Sequence, residues 1–261
     1  MTIRRNYLNY LFVLFLFIPL QMASGQGLIA ICKQKPKPEY RWIAGIHPGG
    51  GYLLASTANN DNSMFEMGIP KYQANDFNKK LKRGWTVMGD IYYMFSYELG
   101  VGAKYSLFAS SAQKDFTAAG SMQPVSQYVH VGMKEIQYIH YAGPSGIYRQ
   151  WLDKKQNFQL TGTLSAGYVH YRKETRTDPT QYTVFHYILN RSNTWGAHAG
   201  ISAAYFPISR LSVGISAGFK YAHLTTAKVQ TKETARTVEF EKKDKQSLAQ
   251  LDYSLMVRFH F

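Results

Sequence analysis

One cysteine in 261 residues is too few for an internal disulfide or for a cysteine-based metal cluster. Cys32 could pair only with another chain. Acidic residues are also scarce: 16 Asp and Glu stand against 30 Lys and Arg, a formal charge of +14. After the first twenty residues no stretch approaches the roughly 18 apolar residues of a membrane-crossing helix, and mean hydropathy is -0.29. A helical membrane protein is thereby excluded. The histidines lack metal-ligand spacing, because His130, His140, His170, His186 and His198 are scattered with no i, i+4 helix to unite them. "GVG" and "GGG" are not phosphate loops, since no helix follows to supply an N-terminus. Aromatic residues, by contrast, are plentiful: 20 Tyr, 15 Phe and 4 Trp.

The first segment reads as an address. Arg4 and Arg5 precede the apolar run "YLFVLFLFIPL", and Ala23 and Gly25 form a small-residue cut site before Gln26. Basic start, short apolar centre and small-residue site are the layout of a secretory signal peptide, residues 1–25. Residues 26–39, containing "KQKPKPEY", form a stiff, basic, Pro-containing lead-in. Residues 40–261 form one domain.

A period of two dominates that domain. The chain ends on "LDYSLMVRFHF", with Leu251, Tyr253, Leu255, Val257, Phe259 and Phe261 on one face. Similar alternation marks "LSVGISAGFKYA", "TWGAHAGISAAYF", "YELGVGAKYSLFAS" and "FQLTGTLSAGYVHY", and noisier versions occupy about 40–56, 84–95 and 132–150. Successive side chains of a strand point to opposite faces, so these are eight strands. Pro144 predicts a bulge or bend in its strand. Residues 57–83, 112–127, 174–193 and 225–246 read as long polar loops, alternating strictly with short turns. All long loops then lie at one end of an up-and-down array. The fourth retains strand character at Val229, Thr231, Thr237 and Phe240, which would suit a hairpin.

Alternation alone leaves two readings. A soluble barrel buries its apolar face, whereas a membrane barrel turns that face to lipid and its polar face into the lumen. The polar face is mostly Gly, Ser, Thr and Ala with sparse charge, which suits a narrow lumen better than water. Trp42, Trp85, Tyr168, Tyr171, Trp195, Tyr205, Tyr221 and Tyr253 gather toward segment ends, where amphipathic rings suit the lipid boundary. The resulting fold class is all-β: an eight-stranded antiparallel up-and-down transmembrane β-barrel with long extracellular loops and short periplasmic turns. Hydrocarbon offers no partner to backbone N–H and C=O, so the sheet must close on itself.

The stretch "YSLMVRFHF", ending on Phe261, resembles the C-terminal assembly signal of outer-membrane β-barrels. Residues 40–261 resemble the small eight-stranded barrel family of OmpA, OmpX and OmpW type. "IHYAGPSGIYR" and "LTGTLSAGYVHYRKE" look like its strands, while "YRWIAGIHPGGGYLLAS" departs from it through a proline and three glycines. The resemblance implies location in the cell outer membrane, and assembly machinery that reads Tyr253, Leu255, Val257, Phe259 and Phe261. Such barrels serve many roles, so it implies no activity.

Asp90, Glu98, Lys104, His198, Lys220, Asp252 and Arg258 fall on the polar face. They predict a lumen charge network that plugs the tube, or else the lining of a narrow solute path. Near the loops, Lys79, Lys80, Lys82, Arg83, Arg172, Lys173, Lys242 and Lys243 form a solvated face or contact the phosphates of outer-leaflet glycolipid. Nucleic acid is not an expected partner of an exported barrel. His223 with Thr225 is the nearest match to a barrel hydrolase's His–Ser pair, and no acid is placed beside it. The expected role is therefore a non-catalytic structural or surface-contact one, performed by a monomer without cofactors. A channel for small or apolar solutes is the second reading, and a lipid-modifying enzyme the third.

Overall fold

The computed structural model describes residues 40–54, 69–119, 128–179, 186–231, 235–239 and 246–261. The signal peptide, the lead-in and Cys32 lie outside them. Eight staves form the wall: β1 (Trp42–Leu53), β2 (Arg83–Met94), β3 (Leu99–Ala119), β4 (Tyr128–Trp151), β5 (Phe158–Pro179), β6 (His186–Ile208), β7 (Leu211–Leu224) and, last in the chain, β11 (Gln250–His260). Each pairs antiparallel with its neighbour, and β11 pairs with both β7 and β1, so the sheet closes. The seam is held to its end: Trp42 N–H donates to Phe261 O at 2.8 Å and Phe261 N–H donates to Trp42 O at 2.9 Å. Closure satisfies the two edges that an open sheet would leave unpaired. No helix among the described residues is long and apolar enough to cross a membrane.

Short turns connect the staves at one end. Ser96 Oγ accepts from Leu99 N–H at 2.9 Å between β2 and β3. Between β4 and β5, the Asp153 carboxylate accepts from the backbone N–H of Asn157 and Phe158 at 2.8 and 2.9 Å. Gln156 there takes a positive φ of 56°. These are the side-chain-to-backbone devices that make Ser and Asp good turn residues.

At the other end two expected loops are largely ladder. The β3–β4 pairing runs out to Ala119↔Tyr128, and the β5–β6 pairing to Thr177↔His186. These four staves have 21 to 24 residues, against 11 to 14 for β1, β2, β7 and β11. A bilayer needs only about 9 to 11. Half the wall therefore stands well above the other half. The alternation fades there because outward residues beyond the bilayer meet water, while the backbone pairing does not depend on that contrast.

The fourth connection contains a hairpin, β8 (Thr226–Gln230) with β9 (Ala235–Glu239), and β8 continues the wall by pairing with β6. Val229 and Thr237 belong to it, Thr231 follows β8, and Phe240 lies outside the described residues. A two-residue strand, β10 (Gln246–Ser247), pairs with β7.

The first connection holds a helix that the alternation could not reveal, α1 (Lys71–Leu81). Ala74, Phe77 and Leu81 recur at helical spacing and bury one face with Ile69 against Ala112, Phe116, Val131 and Met133 of the tall wall. Phe77 meets Phe116 edge-on at 5.6 Å. The last-turn carbonyl of Leu81 accepts from Ser110 Oγ and Gln137 Nε2, both at 2.7 Å, which satisfies an end group that helices leave orphaned. Phe77→Ala should release this cap: amides of α1 are expected to lose hydrogen-exchange protection while those of β1 and β11 keep theirs. Equal loss in both regions would show that the cap and barrel are one cooperative unit.

The prolines disturb the ladder to different degrees. Across Pro144 the β4–β5 register is the same at Ala142↔Tyr168 and Ser145↔Ser165, so no residue bulges, but the rungs of Gly143 and Pro144 drop out. The register shift lies instead between Tyr205 and Ile208, around Pro207. β1, despite Pro48 and its glycines, pairs with β2 without interruption. Only toward β11 do rungs drop out, between Ile46↔Val257 and Gly49↔Ser254, where proline cannot donate.

Candidate functional site

The inward face is layered. Nearest the turns, Ile43, Tyr92, Met94 and Ile147 pack together, beside a cluster of Ala204, Phe206 and Met256 capped by Trp151. On the loop side, Leu53, Phe108, Ile139, Tyr141, Val169 and Tyr171 head a second apolar layer, completed by residues of β7 and Leu248. Between these plugs lies a charged layer.

Its centre is one ring of facing residues. Asp90 on β2 opposes Gly45 on β1, and Gly45 opposes Arg258 on β11. Because Gly45 has no side chain, the two charges meet across it: an added Cβ would lie 2.5 Å from Asp90 Oδ1 and 2.7 Å from Arg258 Cγ. Arg258 Nη2 donates to Asp90 Oδ2 at 2.8 Å and Nε to Oδ1 at 3.4 Å. Its Nη1 reaches Thr161 Oγ1 at 3.1 Å and Ser202 Oγ at 3.5 Å. His47 Nε2 stands 2.9 Å from Asp90 Oδ2, and Tyr92 presents its ring to the guanidinium at 5.9 Å. Further toward the loops, Lys104 Nζ donates to His198 Nδ1 at 3.3 Å. Lys220 Nζ donates to Gln250 Oε1 at 3.4 Å, and Gln250 Nε2 donates to Asp252.

The outward face is the reverse. Ile46, Val101, Leu164, Ile215 and Leu255 are 55 to 67% exposed, while Lys220, Asp252 and Arg258 are at most 2% exposed. Greasy side chains cover the outside and ions fill the inside, an arrangement stable only where the surroundings are hydrocarbon. The chain folds as a small, closed, eight-stranded β-barrel of the membrane-spanning kind.

Solved barrels resemble it in shape. The outer membrane protease OmpT of Escherichia coli is 10% identical, covering 88% of this chain and 99% of its own, with a TM-score of 0.44. A major outer membrane protein of Thermus thermophilus is 12% identical over 84% and 99%, at 0.45. The attachment invasion locus protein Ail of Yersinia pestis is 12% identical over 85% and 99%, at 0.37. No family model and no curated protein matches the chain.

Six of the seven expected lumen charges, Asp90, Lys104, His198, Lys220, Asp252 and Arg258, are buried inside the barrel. Glu98 is not: it sits exposed in the β2–β3 turn, where the alternation has already stopped. His47 and Gln250 join the layer unforeseen. His47 shares the inward face of β1 with Gly45 and Gly51, but the glycines blur that strand's pattern.

Lys173 is a second correction. It extends into the tube, where its Nζ lies 3.4 Å from Glu135 Oε1, because β5 continues past the expected loop start and odd positions still face inward. Lys79 and Lys80 lie on the exposed side of α1, and Lys82 follows it half-buried. Arg83 points outward two residues above Trp85, and Arg172 points outward beside Glu174. Lys242 and Lys243 lie outside the described residues. Tyr171, expected at the rim, is buried in the loop-side plug. Tyr253, Leu255, Val257, Phe259 and Phe261 form the outward stripe of the closing seam, 37 to 67% exposed.

Proposed function

We propose that this barrel is a non-catalytic structural and surface-contact component of the outer membrane, acting as a monomer. The observation that carries the reading is the filled lumen: a salt-bridged layer held between two apolar plugs, with α1 packed over the loop-side mouth. The membrane-crossing part of the wall is closed, each of its eight staves being paired on both sides, which supports the monomer. The outward stripe of β11 offers assembly machinery an apolar ridge at the chain end, and the lipid bilayer and outer-leaflet glycolipid are the surroundings that the exposed faces suit. His223 favours no hydrolytic role, since its Nε2 is engaged by the Tyr221 hydroxyl and the Tyr221 ring stands edge-on at 4.8 Å.

Reconstituted into planar bilayers, the protein should give no stepwise ion conductance. Regular conductance steps that change in Lys104→Ala or Arg258→Ala would reverse the assignment in favour of a channel. One observation keeps an apolar-solute route as the second reading. An outward depression of about 750 Å³ beside Pro48, Tyr253 and Leu255 lies where β1–β11 rungs are missing. Uptake of an apolar tracer into liposomes, with ion conductance absent, would favour that route.

A further inference from the structure

We propose that the outward face of β4, β5 and β6, just beyond the loop-side aromatic belt, is a binding site for the phosphates of a lipid headgroup. The inference rests on the membrane-barrel reading above and assigns that barrel a lipid partner.

The position follows from the register. Tyr105, Ala142, Tyr168 and Trp195 are direct cross-strand partners on the outward face. Tyr168 and Trp195 meet edge-on at 6.2 Å, and such rings mark the boundary of the hydrocarbon. Two residues further toward the loops the outward row contains His140, His170 and Asn193. His140 Nδ1 lies 2.8 Å from the Tyr105 hydroxyl, and His170 Nδ1 lies 2.7 Å from Asn193 Oδ1. Another two residues on, Tyr138, Arg172 and Arg191 face one another across β4, β5 and β6. Four residues of a strand tilted by about 45° rise about 10 Å. Arg172 and Arg191 therefore stand at the headgroup layer and its outer edge, not among acyl chains.

The charge pattern calls for an anion. Arg172 lies directly opposite Arg191, and Lys134 directly opposite Arg176. Like charges placed opposite each other destabilise a sheet, yet two such rungs occur within five residues of β5. Glu174 is the carboxylate between them, in contact with Arg172 and 3.9 Å from Arg176. Arg191 has no ion pair among the described residues, and it is exposed. A phosphate lodged between Arg172 and Arg191 would receive planar, charge-assisted hydrogen bonds from both guanidiniums and remove their repulsion. The occupant is a lipid because the site sits directly above the belt on the outside of the wall. The unusual height of β4, β5 and β6 supplies a flank for a headgroup that stands tall above the bilayer, as a phosphorylated glycolipid does.

The test uses the full chain in nanodiscs containing either a phosphorylated glycolipid or the same lipid after phosphatase treatment, with retained lipid counted by native mass spectrometry. Wild type should retain the phosphorylated form about tenfold more than the treated form. Arg172→Gln/Arg191→Gln should lose that preference, while Lys154→Gln/Lys155→Gln, at the turn end, should keep it. Equal retention of both lipids by wild type, or an undiminished preference in the arginine variant, would overturn the site. Full displacement of the lipid by inorganic phosphate alone would overturn its assignment to a lipid. A mobility shift on unheated gels checks separately that each variant is a folded barrel, so loss of the site and loss of the membrane reading give different results.

Discussion

Arg258→Met should destabilise the barrel by about 3 kcal/mol, measured by urea unfolding from lipid vesicles, because it leaves a buried carboxylate without its main partner. Asp90 accepts two hydrogen bonds from Arg258 and is fully enclosed. His47 remains beside it after the change, which holds the loss toward the lower end of what breaking a buried pair costs. Thr161 and Ser202 also lose the Nη1 donor, but their hydroxyls stay hydrogen-bonded to each other, so they add little to the loss. The double variant Asp90→Asn/Arg258→Met should recover more than half of the loss, since it removes the stranded charge along with its partner. A single variant within about 0.5 kcal/mol of wild type, the range of ordinary surface changes, would mean that the ring around Gly45 does not hold the staves together. A double variant no better than the single would mean that the loss came from packing and not from charge.

Ile215→Arg should cost about 2 to 4 kcal/mol in the same assay, with a similar cost for Leu255→Arg. The two side chains are cross-strand partners near the middle of β7 and β11, exposed on the outer wall at 64 and 67%. In water, adding a charge at so exposed a position would be close to neutral. In hydrocarbon the guanidinium must be dragged from its hydration shell or reach back toward the interface. The experiment therefore tests the polarity of the surroundings and not the quality of a contact. The control is Lys154→Ala, in the exposed β4–β5 turn, which should move stability little. If Ile215→Arg unfolds no more readily than wild type, the outer wall does not face lipid and the barrel is a water-soluble one turned inside out.

How legible was this in the sequence? Alternation in "LSVGISAGFKYA" and "LDYSLMVRFHF" assigned residues 211–222 of β7 and 251–260 of β11 to the faces they occupy, because a two-residue period admits only two answers once one face is greasy. Strand number, the antiparallel order and the end at which the turns lie came from the same pattern. The pattern failed where its physical cause stops. Beyond the bilayer the outward face becomes polar while the inward one stays mixed, so the upper parts of β3, β5 and β6 looked like loops, and Lys173 was placed at the start of one. α1 was hidden because it is short, polar on its exposed side, and helical mainly through the apolar pocket that receives Phe77 and Leu81. Glu98 shows the same effect at a smaller scale: one residue past the regular strand, parity no longer says where a side chain points.

By itself, then, the sequence determined that this chain builds a closed antiparallel wall with lipid-seeking and lumen-seeking faces, since side-chain alternation is a local property of an extended backbone. Only the tertiary structure decided which of the inward charges meet, that Gly45 is the gap through which Asp90 and Arg258 reach each other, and that the tube is plugged above and below them. It also decided that Arg172 and Arg191 share a rung. Those facts depend on the stagger between strands far apart in the chain, and stagger is set by closure of the whole barrel, a property that no single strand carries.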